Sequence, residues 1–259
     1  MDDTIAAMRE RISRRQFAIR AASAIASASA GACRLTSSAA AASGARLSAR
    51  PRSDVSTTAT SGALGLDPGG RDAILQLPAS TGGKLPLLVF LHGATQRASR
   101  MLDRIGPAAS EAGVAVLAPD SREITWDAIR GDFGVDIAFL NRALDLVFAR
   151  VAVDPARIAI GGFSDGASYA LSVGLANGDL FSRVLALSPG FVIDAGSRGR
   201  PRFFLSHGTR DQILPIDQCS RVIVPRLRSQ GYNVTFREFD GRHEMPPDVI
   251  AEALHWVIG

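Results

Sequence analysis

The sequence predicts an α/β fold: a mostly parallel sheet with helices on both faces. Three observations lead there. Continuous apolar runs recur along residues 66–259, several ending in glycine. Between them the apolar period changes to that of a helix. Residues able to do chemistry cluster just after the apolar runs, where such sheets place their ligand sites.

Each element has its own signal. "AILQLP" (73–78) reads as a first short strand. "LPLLVFLHG" (85–93) is apolar throughout, as in a strand buried on both faces. "VAVLAPD" (114–120), "RIAIGGF" (157–163), "RVLALSPG" (183–190) and "RFFLSHG" (202–208) repeat that pattern. "VTFREF" (234–239) partly alternates and suits a sheet edge. Ile137, Leu140, Leu144, Val147, Phe148 and Val151 recur at three and four residues, which defines one helix face. Val249, Ile250, Ala253, Leu254, Val257 and Ile258 do the same, after Pro246 and Pro247, which a helix start tolerates. Residues 166–177 and 216–230 are shorter helix candidates. Strands alternating with helices imply the parallel sheet.

The N-terminus reads differently. Residues 1–32 hold Ser13-Arg14-Arg15-Gln16-Phe17, a weakly apolar Ala/Ser/Ile stretch, then small residues. That is the layout of an export signal, and the paired arginines resemble the twin-arginine type. The export machinery of that route is the partner it implies, and a periplasmic or secreted location follows. Cleavage after Ala32 leaves Cys33 first, as in a lipoprotein, but Ala30 stands where such signals carry a larger aliphatic residue. Residues 33–65 are rich in Ala, Ser, Thr, Gly and Arg and are expected to form a disordered tether. The folded α/β domain is expected over residues 66–259.

The formal charge of +4 carries little information about partners. Lys84 is the sole lysine, and half of the excess lies in residues 1–32. No aromatic residues interleave with a basic stripe, so nucleic acid is not an expected partner. No apolar run is long enough for a transmembrane helix. Cys219 has no expected disulfide partner and reads as a small apolar filler.

The strand ends carry the functional signal. Gly162-Phe163-Ser164-Asp165-Gly166 matches G-x-S-x-G between a strand and a helix. Glycines are needed there because a nucleophilic serine sits on a sharp turn that leaves no room for side chains. Serine needs a base. Of the four histidines, His243 lies in the loop after the last strand, free to reach across the strand ends. His207 is the second choice; His92 precedes the serine, and His255 lies within a helix. Asp211, after the preceding strand, is the expected orienting acid, ahead of Asp240 and Asp217. The oxyanion hole is expected from the amides of Asp165 and Ala94, with Thr95 the next choice after Ala94.

"LHG", "VDPARIAIGGFSDGAS", "HGTRD" and "GRHEMPPDVIAEALHWV" together resemble the α/β-hydrolase superfamily. Within it, the chain is similar to compact carboxylesterase/phospholipase and polyhydroxybutyrate-depolymerase-like esterases. The resemblance implies a Ser164–Asp211–His243 triad and hydrolysis of carboxylic esters through an acyl-enzyme. A polyester depolymerase or feruloyl-type esterase is the alternative enzyme reading, and an inactive surface binding protein the alternative of another class. Asp165 departs from the resemblance, which more often shows Gln, Asn, Met or Gly there. The short connection after "SPG" leaves no room for a large lid. Pocket walls are expected from Trp126, Phe191, Ile213, Leu214 and Met245, each equally explained by packing. Neither metal-ligand spacing nor a phosphate-binding glycine loop is present in the sequence, so no metal or cofactor is expected.

Overall fold

The structure, a computed structural model, describes residues 44–80 and 82–259. The export signal expected over residues 1–32 and the first part of the tether lie outside the described residues.

The strands are β1 (Gly62–Ala63), β2 (Ala73–Gln76), β3 (Leu85–Leu91), β4 (Ala115–Pro119), β5 (Val153–Phe163), β6 (Arg183–Leu187), β7 (Arg202–Gly208) and β8 (Val234–Phe239). The helices are α1 (Ala98–Glu111), α2 (Asp127–Arg130), α3 (Val135–Arg150), α4 (Asp165–Ala176), α5 (Ser220–Ser229) and α6 (Pro247–Ile258). A short 3₁₀ turn, Ile216–Gln218, leads into α5. The eight strands form one sheet in the order β1-β2-β4-β3-β5-β6-β7-β8. β1–β2 and β2–β4 pair antiparallel, and every other pair is parallel.

Side chains along β3 alternate between two cores, as a strand's period of two requires. Leu85, Leu87, Val89 and Leu91 face the core shared with α3, α4 and α5. Leu88 and Phe90 face the core shared with α1 and α6. The sheet is thus covered on both faces, which is why its central strands read as unbroken apolar runs. From β3 the chain runs to β4 on one side and returns to β5 on the other. The strand order therefore reverses between β3 and β5, and the crevice at their carboxyl ends is where such sheets bind ligands.

α1 has no counterpart in the sequence reading, because Arg, Asp and Ser dilute its apolar face and Pro107 lies inside it. Its buried stripe is Met101, Ile105 and Ala109. The described part of the expected tether is also corrected. Leu47 and Ala49 are buried in the main core. The Asn141 Oδ1 accepts the amides of Ser48 and Ala49. Asn177 accepts the Leu47 amide and donates to the Ala45 carbonyl. Arg46 and Arg50 pair with Asp179. Low hydrophobicity did not prevent order, because side chains of α3 and of the residues just past α4 satisfy the segment's backbone.

Candidate active site

The site is built on the turn from β5 into α4. Ser164 has φ 57° and ψ −119°, outside the comfortable range of an L-residue. The flanking glycines permit it. A Cβ at Gly162 would stand 2.5 Å from the backbone of Gly166 and 2.8 Å from Leu91 O. One at Gly166 would collide with the carbonyls of Leu91 and His92. The turn is thus pressed against the end of β3, and the serine hydroxyl is left at its tip.

Two further strand ends deliver partners. His243, in the loop between β8 and α6, places Nε2 2.9 Å from Ser164 Oγ. Its Nδ1 is 2.6 Å from Asp211 Oδ2, beyond β7. A carboxylate only accepts, so Nδ1 carries the proton and Nε2 is free to accept one from the serine. The ring of Phe163 packs against that of His243, with centroids 4.8 Å apart and planes tilted by 37°.

Asp211 is itself held. The amides of Ile213 and Leu214 donate to its Oδ1 at 2.9 and 2.8 Å. His207 Nε2 stands 3.3 Å from Oδ2 and donates to Leu214 O at 2.7 Å, while the Ser220 hydroxyl reaches Nδ1. Burial alone would raise the Asp211 pKa. The hydrogen bonds from His207, His243 and Leu214 outweigh it and hold the carboxyl well below the usual range. His207, the second choice for the base, therefore supports the acid from a fully buried position. Asp240 instead pairs with Arg210 on the surface, Asp217 pairs with Arg221, and His255 lies exposed on α6.

Of the two expected oxyanion donors, Asp165 directly follows the serine and Ala94 lies in the loop after β3. Asp165 N opens α4, where an amide has no carbonyl of its own helix to bond. Among the described residues, the Ala94 amide has no hydrogen-bond partner. Thr95 N is taken by Ile124 O at 2.7 Å, which removes it as the alternative donor. A Cβ at Gly93 would lie 3.3 Å from Ser164 Cβ, so the loop after β3 approaches the serine closely. His92 is buried beneath that loop. Its Nε2 accepts the Ser121 amide, its Nδ1 donates to Gly93 O, and burial lowers its pKa so the ring stays neutral.

The expected pocket walls divide. Phe191 is half-buried and Ile213 is 55% exposed. Leu214 is buried against Gly190. Trp126 is corrected: at 1% exposure its Nε1 donates to His92 O and its ring stacks on Tyr169. Met245 is corrected too, because it is buried in the core beside α6. Sequence reasoning missed Thr125, whose hydroxyl donates to Asp165 Oδ2 at 2.6 Å. It lies in no motif. Burial pushes the Asp165 carboxyl up, and the Thr125 bond and the nearby His243 pull it back. Among the described residues, no group of three or more His, Cys, Asp or Glu is placed to hold a metal ion.

Known proteins share this architecture. Staphylococcus aureus S-formylglutathione hydrolase (FrmB, apoenzyme) superposes with a TM-score of 0.60 at 16% identity, over 73% of this chain and 93% of that one. The chain has the α/β-hydrolase fold. Within this hydrolase fold, residues 138–257 match the model of the phospholipase/carboxylesterase family. NocK of Nocardia uniformis subsp. tsuyamanensis, provisionally named an esterase, is 28% identical over 187 residues, 66% of this chain and 53% of its own length. Mus musculus S-formylglutathione hydrolase is 30% identical over 144 residues, 46% of this chain and 51% of its own. The chain thus spans about half the length of these curated relatives. The matched family segment holds Ser164, Asp211 and His243, whereas Ala94 and Thr125 precede it.

Proposed function

We propose that the chain is an exported serine hydrolase that cleaves carboxylic esters through an acyl-enzyme. One observation carries the reading: an unbroken hydrogen-bond relay from Ser164 Oγ through His243 to Asp211, beside two amides that have no hydrogen-bond partner among the described residues.

In this reading Ser164 Oγ attacks the ester carbonyl and His243 Nε2 takes its proton. The carbonyl oxygen becomes an oxyanion, which the amides of Ala94 and Asp165 and the amino end of α4 stabilise. Collapse expels the alcohol, protonated by His243. A water then gives a proton to His243 and attacks the acyl-enzyme; the acyl–Oγ bond breaks, His243 returns the proton to Ser164 Oγ, and the acid is released. Asp211 keeps the imidazole in the required tautomer and stabilises its cation.

The family description supports a carboxylic ester as substrate. The relatives named S-formylglutathione hydrolases favour short acyl groups, and thioesters, as a second class to test. The expected outcome is loss of p-nitrophenyl acetate and butyrate turnover in Ser164→Ala with an unchanged melting temperature. Turnover at the wild-type rate contradicts the reading.

Export is the part carried by residues 1–32 alone. With a reporter fused after residue 43, Arg14→Lys together with Arg15→Lys is expected to retain it inside the cell. Export of that variant at the wild-type level sinks the twin-arginine reading.

A further inference from the structure

The segment joining β4 to α2, residues 121–126, grips both sides of the oxyanion hole. It holds the loop after β3 at three points. Ser121 N donates to the His92 ring at 2.9 Å, Ile124 O accepts from Thr95 N at 2.7 Å, and Trp126 Nε1 donates to His92 O at 2.9 Å. These contacts flank Ala94. The same segment holds the serine turn at one point, through Thr125 Oγ1 and Asp165 Oδ2 at 2.6 Å. Thr125 and Asp165 are each 3% exposed, so water does not compete for that bond.

Asp165 carries both the candidate donor amide and the gripped carboxyl. Fixing its side chain at the first position of α4 therefore fixes where its N–H points. Thr125 and Ile124 are adjacent, so one rigid peptide joins the hold on Thr95 to the hold on Asp165. The two amides that face the oxyanion are thereby referenced to the same short segment.

We propose that Thr125 and the Asp165 carboxyl are positioning residues that set the spacing of the two oxyanion-hole amides. The proposal rests on the esterase reading. It assigns a use to the acidic side chain after the nucleophile. Asp165 acts there through Thr125, not as an acid or base toward substrate.

The test separates oxyanion stabilisation from substrate binding and from folding. Thr125→Val keeps the shape of the side chain and removes the hydroxyl; Thr125→Ser keeps the hydroxyl. Turnover of p-nitrophenyl butyrate is measured beside the affinity for an alkyl trifluoromethyl ketone, which forms an oxyanion on the serine. Misplacing a donor by a fraction of an ångström should cost Thr125→Val about 10–100-fold in kcat. The ketone affinity should fall by a similar factor, with KM within about twofold of wild type. Thr125→Ser should stay within about threefold of wild type in both. Should the valine variant fail to fold, Thr125→Ala carries the same prediction.

Wild-type kcat in the hydroxyl-free variant overturns the proposal. So does a fall in kcat without a fall in ketone affinity, or a serine variant as poor as the valine one. A wild-type protein that turns over no ester overturns the esterase reading, and the proposal with it.

Discussion

Ser164 holds its strained backbone because its neighbours leave it no alternative. That constraint is testable at Gly166, where an added Cβ meets the carbonyls of Leu91 and His92. Gly166→Ala is expected to lower the melting temperature by several degrees, about 1–3 kcal/mol, as overpacking does. It should also cut activity more than stability, because the turn itself must shift. Asp211 makes two further predictions. Asp211→Asn should lower kcat by about 10⁴-fold with little change in KM, since the asparagine holds the wrong histidine tautomer. The second concerns pH. A carboxyl whose folded pKa lies below its unfolded value binds fewer protons when folded. Its stabilisation is complete above about pH 4 and is lost as the pH falls toward the folded pKa. Melting temperature plotted against pH over that acid range should fall less steeply in Asp211→Asn than in wild type. Ser164, Asp211 and His243 were legible because each follows an apolar strand run and is of a type the chemistry needs. Thr125 was not, because nothing in "SREITWD" says which side chain turns inward. Trp126 and Met245 misled for the same reason: an apolar residue at a strand end serves a pocket or a core equally well.

Among the elements, the parallel strands announced themselves by being buried on both faces. The pieces that escaped the sequence are those whose order depends on partners far along the chain. α1 carries a proline and a diluted apolar stripe, and it is stable through the face it packs on the sheet. Residues 44–65 contain few large apolar side chains, yet Asn141, Asn177 and Asp179 hold their backbone and arginines. The Arg46 hydrogen bond, offset in part by burial, keeps the Asp179 carboxyl well below the usual range. Asp179→Ala should therefore loosen residues 44–50 without abolishing folding. Faster amide exchange at Leu47 and Ala49, with the core strands unchanged, is the expected readout. Unchanged exchange there would show that the asparagine contacts hold the segment unaided.

At the scale of the molecule, the order of the strands decides where the site lies. The reversal between β3 and β5 opens a crevice at their carboxyl ends, with Ala94 on one side and Ser164 on the other. β7 and β8 then present Asp211 and His243 to the same edge. The connection from β6 to β7 carries no helix that covers the serine. An open site predicts that the rate on short-chain esters rises smoothly with substrate concentration, with no jump where the ester begins to aggregate. The most direct test of the central claim is covalent. The wild-type protein is treated with a fluorophosphonate and digested, and the modified peptide is located by mass spectrometry. The prediction is one adduct per chain, on Ser164, lost in Ser164→Ala and strongly slowed in His243→Ala. A wild-type protein that stays unlabelled, or that is labelled at another serine, contradicts it.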